Sequence, residues 1–411
     1  MGEGGKGAGR SRRAGRRHAA PSRPDGELPG SDRSVADQTG PGRRKRSRSR
    51  VPRWARICTV LGALLVFVSG TALVGFEAVL ARYSGAVQEG DLFGDEAAGV
   101  LPEKKSDIKG PLNILLVGID PRTPAWSPLA DSIMVLHVNE TLDSAYLFSL
   151  PRDLLVQIPA FPKADYSGGT EKLNAAMSHG SKVPGAKLPD ANRGFELLSL
   201  TVSKVTGIKR FDAGAIINFS GFQKIVDAMG GVDMYIDQNV KSEHKQPNGN
   251  ARTLKPGGGG YLGPQAQYKK GNAHLKGWQA LDYVRQRYGL PNSDYDRQRH
   301  QQQFVRAMAD QALSKDVVTN PIKLDAVLRA AGKALIFNGR GHDLIDFGFA
   351  MRGLRSDSIQ MIKLPGGGVV EGGDYKGEKF KPIAADFFDA LQGGTIDTFV
   401  ISHPELLNKV K

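Results

Sequence analysis

The chain has 411 residues, 40% of them apolar, a formal net charge of +14 and a single cysteine. Residues 1–56 hold 16 Lys/Arg against 5 Asp/Glu, so the charge excess belongs to the N-terminus and the remainder is close to neutral. That distribution argues against a nucleic-acid partner for the folded part, and a lone Cys58 excludes disulfides within the chain, cysteine-ligated zinc and thiol catalysis beyond its own segment.

Residues 1–52, rich in Gly, Arg, Ser and Pro, lack the large apolar side chains needed to offset chain entropy and read as a disordered cytoplasmic tail. The run Arg43-Arg44-Lys45-Arg46 suits a solvated topogenic flank, or a patch for anionic lipid or nucleic acid. Ile57–Phe76 is free of charge, and 20 residues at ~1.5 Å each span ~30 Å of hydrocarbon. With Arg53, Trp54 and Arg56 on its N-terminal side, residues 53–80 read as a signal-anchor helix that places the C-terminal part outside the cell membrane. Residues 81–109 read as a linker.

From residue 110 to 400 the pattern alternates between strand and helix. Runs at 112–118, 132–138, 144–150, 215–219, 232–236 and 358–364 read as strands, and 192–205, 220–229, 277–287 and 294–314 as helices. Helices mixed with central apolar strands imply an α/β sandwich around a mixed sheet. Residues 241–273, with Gly257 to Gly260 consecutive, read as a loop. No Gly-Lys-Ser/Thr follows, so no phosphate-binding P-loop is present. Residues 366–411 read as a closing strand, a last helix and a tail at 401–411.

Asp120 follows the first strand and Asp131 precedes the second. If these strands are neighbours, both carboxylates reach one sheet edge, where two oxygen ligands suit Mg²⁺ bridged to a phosphate. Two aspartates satisfied by backbone N–H groups are the alternative. Arg122, Arg152, Arg285, Arg287, Arg297 and Arg299 stand at element ends, and guanidinium forks match phosphate oxygens. Arg285 and Arg287 are two apart, so they bracket a site from a helix end rather than share a face. Arg297, His300, Gln301 and Phe304 share one face of a helix opening near Asp294, and turning that face inward demands partners for each polar group.

Together NILLVGIDPR (113–122), ADSIMVLHVN (130–139), SLPRDLLVQIP (149–159), KLNAAMSHG (172–180), INFSGFQKIVDAMGGVDMYI (217–236), HLKGWQALDYVRQR (274–287) and DYDRQRHQQQF (294–304) resemble the LytR-CpsA-Psr family of bacterial cell-envelope proteins. The resemblance implies an α/β/α sandwich with a pyrophosphate site at its mouth. It implies transfer of a glycopolymer from a polyprenyl-pyrophosphate carrier to a peptidoglycan acceptor through a phosphodiester, beside membrane lipid. It assigns Asp120 and Asp131 to Mg²⁺ (or Mn²⁺), and Arg122, Arg152, Arg285, Arg287 and Arg297 to the pyrophosphate. Gln301 matches a glutamine of the same helix, Asp153 belongs to the PRD signature, and Lys172 and Asn174 to a K-x-N-A-A signature. The sequence departs from the pattern at Leu129 and His300, where arginines are usual; Arg299 beside His300 is the expected compensation. Either Asp153 or Asp120 suits the general base. The alternatives are a carrier-binding protein with little transferase activity and a transcriptional attenuator acting through the basic tail.

Overall fold

A computed structural model of the chain describes residues 87–94, 107–121, 123–312, 314 and 320–408. The expected tail, the apolar segment 57–76 and Arg122 lie outside these residues. No helix among the described residues is long and apolar enough to cross a membrane.

The centre is a seven-stranded mixed sheet built from β1 (Gln88–Glu89), β2 (Leu112–Ile119), β3 (Ala130–Val138), β4 (Ala145–Ser149), β5 (Ala213–Asn218), β6 (Leu335–Asn338) and β7 (Ile359–Ile362), in the order β1-β6-β5-β2-β3-β4-β7. β2, β3 and β4 form an antiparallel meander, whereas β2–β5, β4–β7 and β1–β6 are parallel. The central strands are nearly continuous apolar runs because both faces are covered; every residue of β4 is buried. The helices are α1 (Leu173–Ser181), α2 (Ala191–Thr206), α3 (Phe219–Ala228), α4 (Gly277–Arg285), α5 (Asp294–Ala312), α6 (Pro321–Ala334), α7 (Leu344–Ala350), α8 (Ile383–Gln392) and α9 (Ile396–Ser402).

The pleat sorts β2 between two cores. Leu115, Val117 and Ile119 pack with Met177 of α1, Phe195 and Leu198 of α2 and Phe387 of α8. Leu112 and Ile114 face the other way and join Phe347 of α7. A third cluster unites α3, α4, α5 and α6 with the antiparallel pair Val232–Ile236 and Gly271–Leu275. Helices therefore cover both faces of a mixed sheet, as the α/β reading requires.

The expected elements form within one or two residues of their boundaries, with three revisions. The stretch read as a linker holds β1, and Leu92 and Phe93 behind it are buried, Phe93 edge-on against Phe195 with ring centroids 5.7 Å apart. A two-residue strand carries no periodic signal. The loop 241–273 contains short ladders, Val240–Lys241 with Gln267–Tyr268 and Thr253–Leu254 with Tyr261–Leu262. The C-terminal segment forms a hairpin (Gly366–Glu371 with Asp374–Phe380), two helices and a docked end. There Lys363 N–H donates to the Leu406 carbonyl at 2.7 Å and Asn408 N–H to that of Met361 at 2.8 Å, so 401–408 is part of the domain rather than a tail.

Leu92 is fully buried. We expect Leu92→Ala to lower unfolding stability by about 3 kcal/mol in denaturant titration. A loss under ~0.5 kcal/mol would return residues 88–93 to the linker.

Candidate functional site

The antiparallel pairing of β2 with β3 puts the end of one beside the start of the other. The register slips there: Gly118 faces Ser132 and Ile119 faces Ala130, leaving Asp131 as the extra residue of β3. Such a bulge re-aims a side chain. Asp120, just past β2, and Asp131 both line one cavity of about 760 Å³. Arg152 enters it from the turn after β4, Arg297 from the first turn of α5, and Asn174 from the start of α1. Arg285 closes α4, the chain turns extended at Gln286, and Arg287 follows, so both arginines reach the cavity from a helix end.

Each carboxylate is already paired. Arg285 donates to Asp120 at 3.0 Å, with its guanidinium 4.3 Å from the centre of the Phe219 ring. Arg152 donates to Asp131. Arg297, only 5% exposed, donates to the Asp131 carbonyl at 2.7 Å and to Asp294 at 3.0 Å. Burial by itself would lower the Arg152 pKa, but Asp131, Asp153 and Asp294 outweigh it and raise the value. Burial pushes the Asp294 carboxyl upward, and Arg297, with the hydrogen bonds it and Gln298 donate and the charge of Arg152, reverses this, so its pKa falls below the ordinary range. Arg287 has no carboxylate partner among the described residues; it donates to the Tyr288 hydroxyl at 2.9 Å. Four guanidiniums against Asp120, Asp131 and Glu243 leave the cavity walls with one net positive charge.

The side chains of Asp120 and Asp131 are 31% and 20% exposed toward this space. No group of three or more His, Cys, Asp or Glu among the described residues holds a metal by itself. Two carboxylates beside the arginines of this cavity fit Mg²⁺, which takes few protein ligands and completes its shell with water and substrate oxygens.

The other candidates stand outside the cavity. Asp153 pairs with Lys172 at 3.3 Å. Gln301 accepts from Ser132 Oγ at 3.0 Å and donates to the Val284 carbonyl, bracing the wall behind Asp131. His300 is fully buried, stacked on Tyr283 with centroids 4.6 Å apart and Nε2 3.4 Å from Asp237. Arg299 is held by Asp237 at 2.6 Å and by Asp296. Neither supplies charge to the cavity, so the expected compensation by Arg299 does not occur: its guanidinium is consumed by two carboxylates on the far side of α5. Leu129 does line the cavity and brings no charge there. Sequence reasoning missed Trp126, Glu243, His244, Tyr261 and Tyr288, which also line it. Of these, Glu243, His244 and Tyr261 come from the aperiodic segment after Val240. Asp294, read from the sequence only as the start of its helix, is the carboxylate that holds Arg297.

A mixed sheet covered by helices, with paired carboxylates and arginines at one strand end, defines an α/β protein with a charged cavity at the edge of its sheet. The chain belongs to the LytR_cpsA_psr family, whose model matches residues 88–390. It is 28% identical over 296 residues to biofilm regulatory protein A of Streptococcus mutans, covering 69% of this chain and 64% of that one. It is 29% identical over 206 residues to the polyisoprenyl-teichoic acid–peptidoglycan teichoic acid transferase TagU of Bacillus cereus, covering 50% and 54%. The matched part thus spans less than two thirds of these relatives. The crystal structure of Bacillus subtilis TagV shares the fold at a TM-score of 0.50 and 22% identity, over 71% of this chain and 98% of that one.

Asp237 anchors Arg299, Gln303 and His300. Burial would raise its pKa, but the hydrogen bonds from His300, Arg299 and Gln303 hold it well below the ordinary range. Its stabilisation is full above the unfolded aspartate range and is lost as pH falls toward the folded value. We expect Asp237→Asn to lower stability by about 2 kcal/mol at pH 7. That deficit should stay constant above about pH 5 and shrink below about pH 4. Denaturant midpoints across pH test this; a deficit that grows with acid would contradict it.

Proposed function

We propose that this protein transfers a glycopolymer from a polyprenyl-pyrophosphate carrier to peptidoglycan, forming a phosphodiester. The observation that supports this most is the meeting of Asp120, Asp131, Arg152, Arg285, Arg287 and Arg297 around one cavity. The name of the Bacillus cereus relative, a teichoic acid transferase acting on a polyisoprenyl-linked donor and peptidoglycan, points the same way. In this reading the apolar segment 57–76 anchors the chain once in the cell membrane, with the basic tail cytoplasmic and residues 110–400 outside.

The reaction joins the acceptor oxygen to the sugar-linked phosphorus and breaks that phosphorus's bond to the bridging oxygen. Polyprenyl phosphate leaves, and the acceptor proton passes to a base. Phosphoryl transfer demands positioning and neutralisation of developing charge more than covalent help. Arg287 is the guanidinium ready to receive a phosphate oxygen without first leaving a carboxylate. Arg152 and Arg285 hold Asp131 and Asp120 in place and can fork to phosphate oxygens as well. Arg297 is fixed between Asp294 and the β3 backbone, so it contributes a charge of set position. Asp120 and Asp131 would hold Mg²⁺, which when bound screens the pyrophosphate and stabilises the leaving phosphate. Asp153, tied to Lys172 outside the cavity, is poorly placed as the base.

The test incubates the full chain in detergent with a polyprenyl-pyrophosphate-linked oligosaccharide, peptidoglycan fragments and Mg²⁺, and follows coupled product by mass spectrometry. Product should vanish with EDTA and fall about 10²- to 10³-fold in Asp131→Ala and Arg285→Ala. Tight carrier binding without coupled product would replace the enzyme with a carrier-binding protein. The streptococcal relative carries a regulatory name. Deleting residues 1–50 should leave transfer intact here and abolish function in a transcriptional attenuator.

A further inference from the structure

We propose that His244 accepts the proton of the acceptor hydroxyl during transfer. The inference rests on the transferase reading above and adds the base which that reading lacks.

His244 lies on an arm, residues 240–268, that leaves the strand pair beside α4 and returns over the cavity. A buried carboxylate fixes the arm to the helix that carries Arg285. Asp282, 4% exposed, accepts from Ser242 Oγ at 2.9 Å, from the Tyr268 hydroxyl at 2.7 Å and from Gln286 Nε2 at 2.8 Å. Glu243 N–H donates to Gln286 Oε1 at 2.8 Å, and His244 N–H to Ser242 Oγ at 3.1 Å. From the far side Arg252 donates to the carbonyls of Glu243 at 2.7 Å, Tyr261 at 2.9 Å and Gly263 at 3.2 Å. The imidazole meets the Tyr261 ring edge-on, centroids 5.2 Å apart. The backbone of His244 is thus held on three sides while its ring lines the cavity.

Neither ring nitrogen of His244 has a hydrogen-bond partner among the described residues, and no other imidazole lines this cavity there. Asp120 and Asp131, by contrast, are committed to arginines. The groups facing the ring are Asp282 and Arg285 from α4, and Glu243, Arg252 and Tyr261 from the arm. Burial first, then the charge of Arg285, hold the imidazole below its ordinary pKa of 6.5, so at neutral pH it is uncharged and able to take a proton. Glu243 is the rival acceptor in the same wall, and the two are separated by experiment.

The experiment measures kcat/KM against pH for the full chain, His244→Gln and Glu243→Gln in the coupling assay, with Kd for the polyprenyl-pyrophosphate donor. The wild type should lose rate with unit slope below an inflection under pH 6.5. His244→Gln should lower kcat about 10²- to 10⁴-fold, abolish that limb and leave donor Kd within about twofold. Glu243→Gln should keep the limb. A His244→Gln enzyme with wild-type rate and limb, or a limb lost in Glu243→Gln instead, overturns the assignment while the transferase reading stands. Absence of turnover by the wild type overturns both.

Discussion

The first three turns of α5 are buried although almost every side chain on them is polar, and the domain supplies partners for most of their polar atoms, His300 Nδ1 and Gln303 Oε1 excepted. Asp296, Arg297, Gln298, His300, Gln301, Gln302 and Gln303 are all buried. Unpartnered, such groups would cost several kcal/mol each. Their partners come from separate parts of the chain: the Asp131 carbonyl and Ser132 on β3, Ser149 on β4, the Ile362 carbonyl on β7, the Val284 carbonyl on α4, and Asp237. Even the segment after α9 is drawn in, since Asn408 donates to Gln302 Oε1 at 2.7 Å. α5 is therefore a polar bolt against the meander, and the wall of the arginine-lined cavity is one of the surfaces that it fixes.

The same logic governs the cavity. Three of its four arginines are not loose cations waiting for a ligand. Arg152, Arg285 and Arg297 are each held by a carboxylate, at separations from 2.5 to 3.0 Å. The partly exposed pairs of Arg152 with Asp131 and of Arg285 with Asp120 contribute little to stability. Their effect is geometric: each guanidinium is oriented before an anion arrives, and less ordering is then required on binding. Arg287, beyond the helix end and partnered by a tyrosine hydroxyl, is the least constrained of the four.

What the sequence disclosed follows from where burial is two-sided. β2, β3 and β4 were legible because runs such as LNILLVG leave no room for another reading. The inward face of α5 was legible because Arg297, His300, Gln301 and Phe304 fall at helical spacing. Arg285 and Arg287 were legible as a pair at a helix end. What stayed hidden depends on tertiary partners with no local signature. His300 occupies the position of an expected arginine, but only Asp237 and Tyr283 reveal that it points away from the site. The arm bearing His244 has no periodicity, since its order comes from Asp282, Arg252 and ladders only two residues long. β1 is held by two residues of pairing and by Leu92 and Phe93 behind it.

The slip at Gly118 and Ile119 has a consequence for how this site can vary. In an evenly pleated strand, a side chain's direction is fixed by its count from the nearest paired residue. Here the count restarts between Ser132 and Ala130. Residues 121–129 can lengthen or shorten without altering the facing of anything from Ser132 onward. Removing one residue at 130 or 131 would instead even out the pairing and take the carboxylate from the mouth. The chain is thus divided, within a few residues, into a stretch open to insertion and one closed to it. A graft of this site onto another sheet would have to carry the mismatch along with the aspartate.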